Sequence, residues 1–171
     1  MSHTEYSSRV ACGLALLAGL LAAVILPARS AAGGPPTPAV QASDPWSTAQ
    51  LVQPEALAAL LKGPEAKRPL LFHVGFKALF KEGSIPGSTY VGPCSKSEGI
   101  AALKRAVAKL PRDRSIVVYC GCCPWGDYPN MRPAYKALRA MGFKNASALY
   151  VVKNLDTDWV AKGYPISAPK R

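Results

Sequence analysis

Three thiols fall within four positions, Cys120, Cys122 and Cys123, with Gly121 between the first two. A thiolate attacks electrophilic sulfur, pairs into a disulfide and binds soft metals, so the cluster can carry sulfur, cycle between dithiol and disulfide, or hold Cu(I) or Zn(II). What flanks Cys120 points to a nucleophile. Ser115 to Tyr119 places Ile116, Val117 and Val118 in succession, the pattern of a central strand covered on both faces. Downstream, Pro133 pre-sets the first turn of a helix that runs to Met141, with Gly142 as its left-handed cap. A thiol at the carboxyl end of a buried strand, ahead of a helix, sits where α/β sheets hold ligands and where main-chain N–H groups stabilise anions. The plainer alternative for Cys120 is an inert buried thiol.

The loop from Gly121 to Met131 also carries Trp125 and Asp127, and Arg132 follows it. Cys122 and Cys123 can act as resolving thiols toward an oxidised Cys120, and a bridge across one residue is strained and labile. With His73, the three loop thiols alternatively form a soft-metal set, although the paired C-x-x-C spacing of a zinc ribbon is absent. His73 ends a strand and can hydrogen-bond either the loop backbone or a sulfur carried on Cys120. Arg132 can draw in an anionic donor or pin the loop through its carbonyls. Trp125 either lines the mouth of a site or buries the loop's own backbone. Cys94 is either a disulfide partner for a loop cysteine or free.

The elements that must hold these residues alternate in type. Pro54 opens a helix carrying Leu57, Leu60 and Leu61 on one face and ending by Gly63; Leu70 to Val74 reads as a strand; Thr89 to Val91 is short and extended. A helix from Ser97 to Leu110 buries Ile100, Leu103, Val107 and Leu110, and Pro111 stops it. Ala146 to Val152 is a further strand and Asp156 to Lys162 a last short helix, with Trp159 and Tyr164 as packing residues. Strands separated by helices predict an α/β fold: one domain with a central parallel sheet and helices on both faces.

Before that domain, Val10 to Leu26 is an uncharged apolar run preceded by Arg9 and followed by Ser30 and Ala32 in a small-x-small pattern. This reads as an export signal in residues 1–32, either cleaved or kept as a membrane tether through residues 10–26. Residues 33–45 are Gly/Pro-rich and predict an extended linker, leaving 46–171 as the folded domain. The expected location is extracytoplasmic. Lys and Arg number 21 against 10 Asp and Glu, a net charge of +11. The basic residues are scattered, which reads as a soluble basic surface or as attraction for small anions or an anionic membrane face, but no basic run is interleaved with aromatics, which argues against nucleic acid.

Three segments taken in order resemble the rhodanese-type sulfurtransferase family. Gly83 to Ser88, GSIPGS, is similar to the family's G-H-I-P-G-A segment with Ser84 in place of histidine. Val117 to Cys120 matches the strand that delivers the family's nucleophile. Arg132 to Tyr150, followed by Trp159 and the Gly163-Tyr164-Pro165 turn, matches its closing helix, strand and W…GYP segment. The resemblance implies that Cys120 accepts sulfane sulfur as a persulfide from a small anionic donor such as thiosulfate and passes it to a thiol, with no cofactor. The chain departs from the family in two places. Eleven residues separate Cys120 from Arg132, more than the family's compact loop holds, and His73-Val74-Gly75 stands where D-V-R is common. The loop itself resembles a bacterial sub-group with a C-G-C-C-P-W…P-N-x-R-P-A pattern.

Overall fold

The computed structural model describes residues 40–167; the segment expected to direct export, its expected cleavage pattern and most of the expected linker lie outside the described residues. Five strands, β1 (Leu51–Val52), β2 (Leu70–His73), β3 (Ser88–Tyr90), β4 (Ile116–Tyr119) and β5 (Ala146–Leu149), form one sheet in the order β1-β5-β4-β2-β3. Every pairing is parallel, and the register sets His73 beside both Tyr119 and Tyr90. The strand carrying the cysteine cluster is therefore the middle one, buried at all four positions as its β-branched composition predicts.

Alternation along β4 divides the core. Ile116, Val118 and then Cys120 face one layer with Leu103 and Val107 of helix α3 (Ser97–Val107) and Met131, Ala134, Tyr135 and Leu138 of helix α4 (Met131–Ala140). Val117 and Tyr119 face the other layer with Leu57 and Ala58 of helix α1 (Pro54–Lys62) and Trp159. The fold is the expected α/β domain with helices on both faces. In α4 the buried positions recur three and four residues apart, the spacing of a single apolar stripe. Truncating a fully covered member such as Leu138 to alanine removes about 2–5 kcal/mol.

Four details differ from the sequence expectations. A two-residue strand, β1, extends the sheet at one edge. The six-residue helix α2 (Lys77–Glu82) buries none of its residues and so shows no apolar stripe. Helix α4 begins at Met131 rather than Pro133, which costs no hydrogen bond because the first four helical N–H groups lack internal partners anyway. The last short helix, Asp156–Val160, is a π-helical turn. Gly142 does cap α4 in the left-handed region, at φ +86°. Packing also begins before Trp46. Asp44, inside the segment expected to be a tether, has no exposed side-chain surface because Arg132 pairs with it. Among the described residues no helix is long and apolar enough to cross a membrane.

Candidate active site

Cys120 follows directly on β4, and Gly121 turns the chain sharply at φ +79°, a conformation that favours glycine. The turn folds the next thiol back over the first. Cys122 Sγ lies 3.0 Å from Cys120 Sγ, and Cys123 Sγ lies 2.8 Å from Cys122 Sγ. Asn130, wholly buried, aims Nδ2 at Cys120 Sγ across 3.7 Å, while its Oδ1 accepts the Ser95 N–H at 2.9 Å. Gly75 supplies the opposite wall: a Cβ there would come within 2.7 Å of Cys120 Sγ.

These contacts decide the charge on the cluster. The hydrogen bond from the Cys122 thiol holds the Cys120 pKa below the ordinary thiol range, outweighing the penalty of burial; the Cys122 backbone and Asn130 add to it. The same bond raises the Cys122 pKa, since its proton is held by the neighbouring sulfur. Cys123 is pushed up to about 11, first by burial and then by its bond to Cys122. The order of acidities favours Cys123 donating to Cys122 and Cys122 donating to Cys120.

Only 1% of Cys120 is exposed, yet it borders a cleft of about 200 Å³ that is also walled by His73, Gly121, Leu155, Asp156 and Val160. The charged residues of that wall are Glu82 and Asp156, both acidic. A sequence model of the Rhodanese-like domain family matches residues 53–151, a span that takes in β2, β4, the thiol cluster and α4. The chain belongs to the rhodanese-like domain family. Two solved structures agree in fold. The Alr3790 protein from Anabaena sp. is 23% identical, with 68% of this chain and 91% of that one covered at a TM-score of 0.52. The BH2092 protein from Bacillus halodurans is 17% identical, covering 69% and 76% at 0.51. The Saccharomyces cerevisiae single domain sulfurtransferase RDL2 is 21% identical, covering 67% and 90% at 0.49. No curated protein matches the sequence.

The rhodanese-like domain places the expected site residues unevenly. Cys120, Gly121, Cys122 and Cys123 come together. His73 walls the cleft beside Cys120 and is held by the main chain: it bonds the Cys120 backbone, its Nδ1 accepts the Gly75 N–H at 3.4 Å, and burial lowers its pKa to about 4. It is a neutral brace of the strand end. Arg132 does not reach the cleft. Its Nε bonds Asp44 Oδ1 at 2.7 Å, one Nη bonds Gln41 Oε1 at 3.2 Å, and the other bonds the Tyr128 carbonyl at 3.4 Å. It pins the loop to the segment before Trp46, the second of its two expected roles.

Trp125 is 5% exposed and packs against Trp46, Tyr128 and Tyr150, so it anchors the loop from beneath rather than lining a mouth. Asp127 is exposed on the outer side of the loop. For the soft-metal alternative, no three metal-ligating side chains are grouped to hold an ion among the described residues, Cys120, Cys122, Cys123 and His73 included. Cys94 is a free buried thiol, its pKa pushed up to about 12 by burial, and Cys120, Cys122 and Cys123 are free as well. Sequence reading missed Asn130 and Gly75. Asn130 stands just before α4, where Asn commonly caps a helix, and that role masks its contact with the sulfur. Gly75 replaces a larger residue of the family pattern, which was the available signal of a close approach.

Proposed function

We propose that the chain is an exported sulfurtransferase that accepts sulfane sulfur on Cys120 as a persulfide. One observation carries this reading: the Cys120 sulfur, ending the central strand beside a cleft, is met by the Cys122 thiol and the Asn130 amide, which together favour its anion. A thiolate attacks the outer sulfur of a donor R–S–S⁻ or the sulfane sulfur of thiosulfate, and R–S⁻ or sulfite departs. No general base is required, because the Cys120 proton is lost to solvent and the Cys122 thiol, keeping its own proton, stabilises the anion left behind. The apolar run from Val10 to Leu26 with its small-x-small sequel supports export.

The donor is narrowed by charge. The overall excess of basic residues draws anions toward the protein, but Glu82 and Asp156 stand at the cleft itself and Arg132 is held elsewhere. An organic persulfide is therefore a better donor than the dianion thiosulfate. In the test, reduced full-length protein is treated with thiosulfate or with cysteine persulfide, then with a thiol acceptor. The reading expects turnover that Cys120→Ser abolishes and that is faster with the persulfide. Absence of turnover and of any sulfur addition with both donors refutes it.

A further inference from the structure

The Cys122 sulfur lies 3.0 Å from the Cys120 sulfur, at hydrogen-bond distance, and Cys122 is not among the residues walling the cleft. A sulfur atom delivered from the cleft thus sits on one side of Cys120 Sγ while Cys122 stands on another. That arrangement leaves Cys122 next to the inner sulfur of the persulfide, not the outer one. Attack on the inner sulfur has a different product from transfer: the outer sulfur becomes the leaving group.

We propose that Cys122 resolves the Cys120 persulfide, closing a Cys120–Cys122 disulfide and expelling the accepted sulfur as hydrosulfide. The inference rests on Cys120 being the sulfur acceptor and names the fate of the sulfur at that same site. The balance is complete: Cys120–S–S⁻ and Cys122–SH give Cys120–S–S–Cys122 and HS⁻. The bond between the Cys120 sulfur and the outer sulfur breaks, the bond between the two cysteine sulfurs forms, and the Cys122 proton leaves on the sulfide. The dithiol loses two electrons and the sulfane sulfur gains them, so the sulfur donor is the oxidant.

Geometry allows the bridge. Closing 3.0 Å to a disulfide bond of about 2.05 Å needs a shift of about 1 Å, and Gly121 at φ +79° already turns the two side chains to the same side. Return to the dithiol is directed as well. Cys122 is partly exposed and Cys120 is buried, so an external dithiol attacks the Cys122 sulfur. Cys120 then leaves as a thiolate still met by the Asn130 amide, and the second thiol of the reductant frees Cys122, forming the reductant's own disulfide. The net reaction is reduction of a sulfane sulfur to sulfide by a dithiol.

The test is a single turnover without external thiol. Reduced full-length wild type and the Cys122→Ser and Cys122→Ala variants are desalted, loaded with thiosulfate or cysteine persulfide, desalted again and weighed intact. Wild type is expected to end lighter by two hydrogens, with peptide mapping placing the bridge between Cys120 and Cys122. Both variants are expected to end heavier by one sulfur on Cys120, removable by dithiothreitol, and to release sulfide at least about tenfold more slowly. Wild type that retains the added sulfur without a bridge, or variants that release sulfide at the wild-type rate, overturns the inference while leaving sulfur acceptance standing. Proteins that gain no sulfur and no bridge with either donor overturn both. Thermal melts of the variants separate loss of resolution from loss of fold.

Discussion

Replacing Asn130 by aspartate preserves the shape of the side chain and the acceptor that receives the Ser95 N–H, but turns the donor facing Cys120 into a negative oxygen. At 3.7 Å, two like charges at an effective dielectric near 20 repel by about 4 kcal/mol, equivalent to about 3 pH units on the thiol. Part of that repulsion is relieved by protonating the introduced carboxylate, so the Cys120 pKa should rise by between about 1 and 3 units. The assay is the rate of iodoacetamide alkylation at Cys120 against pH, resolved from Cys122 and Cys123 by fragment mass spectrometry. The midpoint should move upward, and sulfur loading at neutral pH should fall by about tenfold or more. Asn130→Ala, which only deletes a donor, should shift the midpoint less. A midpoint that stays within a few tenths of a unit in the aspartate variant would show that residue 130 does not face the sulfur, and the account of the thiolate would fail with it.

Three further outcomes follow from the same geometry. The depressed His73 pKa, about 4 against an ordinary 6.5, means the unfolded chain binds its proton first. Stability should accordingly be full above pH 6.5 and decline toward pH 4, by about 2 kcal/mol at pH 5; His73→Gln should flatten urea midpoints across that window, and an unchanged slope counts against a neutral brace. Arg132→Ala should cost roughly 2 kcal/mol in urea unfolding, with strong non-additivity in the double variant with Asp44→Ala; Arg132→Lys should recover little, because Nε and each Nη serve different acceptors. Gly75→Ala should lose about 1–3 kcal/mol by overpacking against Cys120 Sγ and also slow its alkylation; a variant with wild-type melting and reactivity would mean the wall is not there.

Much of the architecture was readable because it repeats. The β-branched run of β4 and the 131-134-135-138 stripe of α4 declare their burial at a fixed period. The two residues of β1 are too few to show a period, and they join the sheet only through their register with Ala148 and Leu149. Helix α2 is six residues long with only Leu79 and Phe80 half-buried, too short to show a period. The site divides the same way. Cys120 stood out by its position at a strand end, whereas Asn130 reaches it only after a ten-residue loop has folded back, a contact that no local spacing encodes. From the sequence Trp125 reads equally as a lining residue or a buried anchor, because nothing in the loop reveals that Trp46, far away in sequence, lies beside it.

The hinge after β4 has one more implication. The Gly121 carbonyl accepts the Leu155 N–H at 3.2 Å, and a Cβ at Gly121 would meet Leu155 at 3.0 Å, so the thiol turn and the start of the π-helical turn are fastened to each other. Uncovering the reactive sulfur toward the cleft means releasing both at once. Solvent deuterium reaching the residue 155 amide and reagent reaching the thiol then count the same excursion, and the site's breathing frequency can be read from a backbone position that takes no part in its chemistry.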